Sequence, residues 1–339
     1  MNRPWGGLGW VILALFLPAM LHAEPLNDEV LKRVLDRAFC SPDTVFPQPL
    51  AWQKQSIQYD RWAKDGDMAI TLDQQIHQLL FPLIQQYAQE NHLDIRLREG
   101  TCGTSAGLVS RKMVDSGGFC CPPGKSDRLP GLTFHTLGIV SIAILLHPEN
   151  PVTDLSLKQV REIFQGNPRH WSQITDTTGT QGLPLPIQTI GRLHCKLRPG
   201  HWRALLSDPD EFSPRMEEVG TIPDMIQRVL AQRGAIGYET LWHVERHSNK
   251  GRPKAIAIDG HAPHETQALI AGKYPLYHVF NLTLWEGEGL TNPKAAALVA
   301  YLIKAVEAMN PQVSMIPASA LRQAGWQFQG NELTGEPRR

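Results

Sequence analysis

Residues 103–107, with the sequence GTSAG, are of types that can bind an oxyanion. Glycine lets the backbone approach a ligand closely, and the hydroxyls of Thr104 and Ser105 can donate hydrogen bonds. The segment leads into a short apolar pattern typical of a helix, and a helix N-terminus offers amide groups and a dipole that favour negative charge. Gly103, Thr104, Ser105 and Ala106 are therefore predicted to bind an anion, and an ordinary capped helix is the alternative interpretation.

A second candidate loop carries basic residues. Arg192, Lys196 and Arg198 lie close together in the chain, with His194 and Cys195 among them. An arginine can hold an anion through two parallel hydrogen bonds, so Arg192 and Lys196 are predicted as further ligand-binding residues. The alternative is a solvated loop that happens to be charged.

The sequence contains no Walker loop and no His-Glu-x-x-His pattern. Cys195 with His194 or His201 could form a nucleophile and base, but neighbours in sequence rarely face each other correctly for that chemistry. We therefore expect a protein that is not an enzyme and that needs no cofactor.

Strands and helices alternate along the chain around these loops. Apolar residues at helical spacing predict a helix over 73–89, with Pro82 inside it. A β-branched run at 136–146 predicts a strand buried on both faces, and Ser156 is placed to cap the helix that follows it. Residues 330–339 are expected to be a frayed tail. The pattern predicts an α/β fold with a largely parallel sheet.

The amino-acid composition excludes one class of function and indicates the number of domains. The chain has 339 residues, with 33 Lys+Arg and 33 Asp+Glu, and 42% of its residues are hydrophobic. Zero net charge argues against a sequence-independent nucleic-acid binder, which needs a basic surplus to displace counterions from phosphates. The length suggests about two domains, each with a sizeable core.

The first 23 residues resemble a signal peptide. A short cationic start containing Arg3 precedes an apolar stretch over residues 8–21, which is shorter than the roughly 20 residues of a membrane span. A small residue, Ala23, stands where signal peptidase would cut. We predict a periplasmic protein whose mature form begins near Glu24 and has no membrane span; a retained N-terminal anchor is the alternative.

The order of these segments resembles the phosphate-type family of periplasmic solute-binding proteins, the receptors of ABC importers. The resemblance covers roughly residues 65–325. After the glycine-containing segment at 103–107, it includes LSLKQVREIFQGNPRHW at 155–171 and IGR at 190–192. It also includes RGAIGYETLW at 233–242 and YPLYHVFNLTLW at 274–285.

The resemblance implies a two-lobe α/β fold, the type II periplasmic binding protein fold, with the ligand in the cleft between lobes. Lobe 1 would comprise 24–140 plus 260–339, and lobe 2 would comprise 141–259. The ligand would be phosphate or a related oxyanion, captured by lobe closure. The partners would be an ABC permease or a sensor protein, and the chain would act as a monomer without binding nucleic acid.

Two loops depart from the family pattern. Residues 118–122 read GFCCP where family members have a small-Ser-Asp run, so Cys121 stands where the phosphate-specific members have an acceptor carboxylate. A neutral thiol is a weak acceptor, and a thiolate would repel a dianion. Arg192 is kept in the second loop, but the Ser-Gly-Thr that follows it in the family is missing.

The cysteines allow several explanations. All five lie beyond the signal peptide, in a compartment that permits disulfides: Cys40, Cys102, Cys120, Cys121 and Cys195. The resemblance places the last four on loops around one cleft.

These four cysteines could brace the loops by disulfides, for example Cys102 to Cys120 or Cys121. Alternatively, Cys120, Cys121 and Cys195 with His194 could form a soft-metal site. The site could instead recognise or react with a sulfur-containing solute, or the thiols could be inert core residues. The metal-binding and thiol-reactive explanations would imply a different function from oxyanion capture, that of a thiol-dependent metal-handling or redox-sensing periplasmic protein on the same fold.

Overall fold

The structure is a computed structural model that describes residues 39–193, 204–249, 251–309 and 315–337. Strands and helices alternate through most of these ranges. The helices are α1 (Leu50–Gln53), α2 (Gln74–Asn91), α3 (Cys102–Ser110), α4 (Leu157–Gln165), α5 (Ile222–Ala231), α6 (Leu241–Arg246), α7 (Thr266–Ile270), α8 (Pro293–Glu307) and α9 (Ala318–Gln323). The strands are β1 (Met68–Asp73), β2 (Ile95–Gly100), β3 (Ser116–Phe119), β4 (Leu132–Leu146), β5 (Asp154–Leu155), β6 (Gln188–Gly191), β7 (Glu217–Glu218), β8 (Ala235–Thr240), β9 (Lys254–Ile258), β10 (Tyr277–Trp285), β11 (Ile316–Pro317), β12 (Gln327–Gln329) and β13 (Glu332–Gly335).

Helix ends follow the capping residues in the sequence. α2 begins after Asp73, whose carboxylate accepts hydrogen bonds from two amides of the first turn, and Pro82 lies inside the helix without ending it. Ser156 caps α4 in a capping box, and the helix ends at Gly166 with a φ of 94°. Glycine suits that position because a side chain there would meet the steric penalty of left-handed backbone.

The main sheet is parallel at its two ends and antiparallel in its centre. Its principal strand order is β2-β1-β3-β10-β4-β8-β6-β7. β1 pairs in parallel with β2 and β3, and β6 pairs in parallel with β7 and β8. β10 and β4 run antiparallel to each other and to their neighbours. The predicted parallel sheet therefore describes the two ends, whereas two long return strands make the centre antiparallel.

β4 joins the two ends because its pairing partner changes along its length. Up to Ser141 it pairs with β10, and from Ile142 onward it pairs with β8. At Gly138 the backbone of β11 comes so close that an added Cβ would lie 2.1 Å from the carbonyl oxygen of Ile316. A side chain at Gly138 would therefore push β11 away. The predicted division at residues 140 and 260 stays a prediction.

The expectation of a frayed C-terminal tail is wrong for residues 332–335. These residues form β13, and the Leu333 amide donates to Thr136 on β4. Glu332 forms an ion pair with Arg128, at 2.5 Å, in which both side chains are buried. The polar residues of this strand gave no strand pattern in the sequence. Glu332 can be buried only because it pairs with Arg128, which lies about 200 residues away in the chain.

Replacing Glu332 by alanine is expected to destabilise the protein by about 3–5 kcal/mol, because Arg128 would be left as a buried charge without its partner carboxylate. Chemical denaturation at neutral pH measures this loss. The exposed Glu288→Ala is the matched control and should change stability by less than about 0.5 kcal/mol. Equal stability of the two variants would show that the C-terminal strand is not part of the folded unit.

Candidate functional site

Polar side chains collect where strands of both ends of the sheet terminate. β1, β6 and β8 all point their carboxyl ends at this region, which is where open α/β sheets bind ligands. We call these residues the strand-end cluster: Asp73, Gln74, Gln75, Cys102, Cys120, Cys121, Arg192, Glu239, Thr240, His243 and His278. Most of them are buried, so their hydrogen-bond partners decide what the site can do.

The centre of the strand-end cluster is an ion pair between Arg192 and Glu239. Arg192 Nη1 donates to Glu239 Oε2 at 2.9 Å, and neither side chain is exposed to solvent. The Arg192 amide donates to the hydroxyl of Tyr238, at 3.0 Å, which fixes the backbone at the end of β6. The guanidinium predicted to hold an anion therefore already holds a carboxylate of its own chain.

Two glutamines at the start of α2 connect to this pair. Gln74 Oε1 accepts from Arg192 Nη2 at 2.9 Å, and Gln75 Nε2 donates to Glu239 Oε1 at 2.9 Å. The Thr240 amide also donates to Glu239 Oε1, at 2.8 Å. These bonds join the β1–α2 connection to the ends of β6 and β8, so they link the two ends of the sheet.

Asp73 organises the neighbouring part of the cluster. One carboxylate oxygen caps α2, while the other accepts from the Cys120 amide at 2.6 Å and from the Cys102 thiol at 3.4 Å. Burial raises the pKa of this carboxyl, and the hydrogen bonds from Cys120 and Cys102 oppose that shift. Asp73 thus ties the start of α2 to the end of β3 and the start of α3.

Three cysteines lie together beside Asp73. The sulfurs of Cys102, Cys120 and Cys121 all lie within 4.8 Å of one another, and the Cys102 and Cys120 sulfurs are 3.6 Å apart. The hydrogen bond from Cys102 is the largest cause that raises the pKa of the Cys120 thiol, followed by that from Cys121 and by burial. No disulfide joins any two of the described cysteines, Cys40 included. The predicted disulfide bracing stays a prediction.

The predicted anion-binding segment has a different geometry from that expected. Helix α3 already begins at Cys102, and Thr101 caps it by accepting from the Thr104 amide. Ser105 is buried, and its hydroxyl pairs with that of Thr71 at 2.9 Å. Gly103 and Thr104 are exposed, whereas Ala106 is buried. The first turn of α3 therefore offers an exposed Gly103–Thr104 surface, while Ser105 is turned toward β1.

Part of the predicted site lies outside the described residues. The structure does not describe residues 194–203. This range contains His194, Cys195, Lys196 and Arg198. Their predicted roles in anion or metal binding stay predictions.

Two buried histidines and Glu239 were not singled out from the sequence. His243 Nδ1 lies 2.6 Å from the Thr240 hydroxyl and 3.5 Å from Glu239 Oε1. Burial lowers the pKa of His278 to about 4, although Glu239 and a hydrogen bond with the Cys120 backbone oppose the shift. Glu239 had a detectable signal, because it is a charged residue near the carboxyl end of an apolar strand. His278 is brought here only by the antiparallel return of β10.

Within the described ranges, no helix combines the length and apolar character that a membrane crossing requires. The predicted signal peptide, residues 1–23, lies outside those ranges.

Comparisons with known proteins agree with the predicted resemblance. No protein-family model matches the chain. The chain is 22% identical to the phosphate-binding protein PstS of Bacillus subtilis over 230 residues, which are 66% of this chain and 72% of that protein.

Solved structures show the same fold. The crystal structure of an ABC-type phosphate transport receptor from Vibrio cholerae matches with a TM-score of 0.60 and 17% identity, over 74% of this chain and all of that one. A Clostridium perfringens crystal structure, described as a phosphate ABC transporter substrate-binding protein with bound phosphate, matches with a TM-score of 0.61 and 16% identity. That match covers 74% of this chain and 99% of that one. The predicted two-lobe α/β fold is confirmed.

Proposed function

We propose that this chain, a divergent relative of the phosphate-type periplasmic solute-binding proteins, captures a small oxyanion at the strand-end cluster by closing two lobes around it. The observation that carries the proposal is the convergence of donors from the two ends of the sheet, Arg192, Gln75 and the Thr240 amide, on one buried carboxylate, Glu239. Donors that converge on a buried carboxylate have the chemistry to hold a small oxyanion. The lobes would be 24–140 plus 260–339 and 141–259.

In this proposal Glu239 takes the anion's place at Arg192 while no ligand is bound. An incoming oxyanion competes with Glu239 for the guanidinium, and the exposed first turn of α3 at Gly103 and Thr104 supplies further donors. Lys196 adds positive charge from the second loop. Phosphate is the first candidate ligand because the relatives named above carry phosphate in their names.

The biological role follows from the relatives and from the predicted export. The chain would act as a periplasmic monomer that presents its closed form to an ABC permease or to a sensor protein. It would perform no catalysis, since the relatives are binding proteins and receptors.

Calorimetric titration of phosphate, with sulfate as the comparison anion, tests the proposed function on the purified protein expressed from its full sequence. We expect saturable 1:1 binding of phosphate. Absence of heat and of any thermal shift in folded protein, with both anions and at low salt, would overturn the anion-binding proposal.

The double substitution Thr104→Ala with Ser105→Ala is expected to weaken anion binding by about 1–3 kcal/mol, the scale of lost buried hydrogen bonds. The two single variants divide the effect. Thr104 is exposed at the proposed site, whereas Ser105 acts through its bond to Thr71. The exposed Thr44→Ala is the control and should bind as the unsubstituted protein does. Unchanged affinity in the double variant would remove this turn from the site.

A further inference from the structure

The three clustered cysteines have the spacing of ligands to one metal ion. Cys102, Cys120 and Cys121 are all buried, and their sulfurs lie within 4.8 Å of one another. A tetrahedral cation with metal–sulfur bonds of about 2.3 Å holds two sulfurs roughly 3.8 Å apart. The Cys102 and Cys120 sulfurs are 3.6 Å apart, so these two sulfurs need almost no movement to share a cation. A disulfide would need a sulfur–sulfur distance of about 2.05 Å.

Two helix ends offset part of the negative charge that thiolates would bring, whereas the neighbouring Asp73 carboxylate opposes it, so most of the compensation must come from the cation itself. Cys102 is the first residue of α3, and the Cys120 amide bonds the capping carboxylate of α2. Two helix N-termini therefore converge on the sulfurs, and their dipoles stabilise anions. When Zn²⁺ displaces two thiol protons, the charge of the cluster is unchanged. Loss of a third proton adds one negative charge, which the two helix ends can offset in part.

Asp73 has a carboxylate oxygen beside the three sulfurs that can serve as a metal ligand. Its Oδ2 accepts from the Cys102 thiol at 3.4 Å, and that interaction ends when the thiol loses its proton to solvent. The carboxylate oxygen can then complete a four-coordinate site, a common arrangement for Zn²⁺. Cu⁺ prefers soft thiolate ligands and can be held by the three sulfurs alone.

We propose that Cys102, Cys120 and Cys121 bind one thiophilic cation, Zn²⁺ or Cu⁺, beside the candidate ligand cleft. The ligand set differs from the one anticipated from the sequence, because Cys102 joins Cys120 and Cys121 while Cys195 and His194 lie outside the described residues. The cation would link the start of α3 to the end of β3 and so fix the turn that carries Gly103 and Thr104. The site does not depend on which solute the protein binds.

Metal titration of the reduced protein, expressed from its full sequence and stripped with a chelator, tests the proposal. Zn²⁺ is titrated against a chromophoric competitor, Cu⁺ against a Cu⁺-specific chelator, and Co²⁺ serves as a spectroscopic probe. We expect one equivalent of Zn²⁺ or Cu⁺ per chain and a thiolate-to-cobalt charge-transfer band. Asp73→Ser should weaken Zn²⁺ binding more than Cu⁺ binding if the carboxylate is the fourth ligand.

Single serine substitutions identify the ligands. Each of the variants Cys102→Ser, Cys120→Ser and Cys121→Ser should weaken metal binding more than about 100-fold. That is more than the loss typical of residues that only hydrogen-bond to a metal ligand. Cys40→Ser is the matched control and should bind metal as the unsubstituted protein does, because Cys40 is outside the cluster. If a variant fails to fold, alkylation of the unsubstituted protein with and without metal, read by mass spectrometry, shows which thiols the cation protects.

Three results would overturn the proposal. One is the absence of stoichiometric metal in protein whose thiols are shown to be reduced. Another is a disulfide joining two of the three cysteines in protein as isolated, with no metal bound after reduction. The last is metal that is lost in Cys195→Ser but retained in Cys102→Ser. None of these results decides whether the protein binds an oxyanion, so the phosphate titration tests the proposed function separately.

Discussion

Replacing Glu239 by glutamine is expected to make the stability of the protein depend on added oxyanion. In the structure Glu239 is the carboxylate partner of a guanidinium that has no solvent exposure. Removing one partner of a buried ion pair costs about 3–5 kcal/mol, because the remaining charge loses its compensation. Glutamine keeps the size of the side chain and an oxygen for the Gln75 and Thr240 donors, but its NH2 replaces the oxygen that accepts from Arg192, so both the charge and that hydrogen bond are lost.

An anion that binds Arg192 in this variant would replace the missing carboxylate. Phosphate should therefore raise the unfolding midpoint of Glu239→Gln more than that of the unsubstituted protein, and its affinity should increase because it no longer competes with Glu239. Thermal unfolding over a phosphate series, together with calorimetry, measures both effects. The stability gain follows from binding to the folded state alone.

The double variant Arg192→Gln with Glu239→Gln is the matched control. It lacks both charges, so it should lose less stability than the single variant and show no response to phosphate. A phosphate response that persists in the double variant would place the anion elsewhere in the protein. A single variant that is destabilised but indifferent to every oxyanion would mean that Glu239 serves only to neutralise Arg192.

Local signals in the sequence were sufficient for most elements. Asp73, Ser156 and Asn292 each begin a helix by capping it, and this depends only on residues within the first turn. The uncharged run at 136–146 lies in one strand, although β4 starts earlier, at Leu132. The two-lobe fold came from the order of motifs, since periodicity alone does not specify how strands pair.

The contacts inside the candidate site could not be predicted in the same way. Arg192 was selected as an anion ligand, but its pairing with Glu239 joins residues whose strands are adjacent only in the folded sheet. Ser105 was selected for its hydroxyl, and the helical register turns that hydroxyl toward Thr71. The meeting of Cys102 with Cys120 depends on β1 lying between β2 and β3. Each of these outcomes is decided by long-range pairing.

Replacing Asp73 by alanine is expected to cost about 2–4 kcal/mol of stability. The substitution removes the cap of α2, worth about 1 kcal/mol, and it leaves the buried Cys120 amide without this carboxylate, worth about 1–3 kcal/mol. The two contributions share one side chain but use different oxygens, so they can be separated by substitution. Guanidinium unfolding at neutral pH gives the total.

Asp73→Ser separates them, because serine can still cap α2 but cannot reach the Cys120 amide with a second oxygen. Asp73→Ser should therefore be less destabilising than Asp73→Ala by about 1 kcal/mol. The cap of α5 provides a matched control: Thr221 is exposed and caps through its hydroxyl, so Thr221→Ala should cost about 1 kcal/mol. If Asp73→Ala costs no more than Thr221→Ala, the bond to Cys120 contributes nothing and Asp73 is only a helix cap. A loss several times larger establishes Asp73 as the residue that holds the start of α2, the end of β3 and the start of α3 together, which both the proposed anion site and the proposed metal site require.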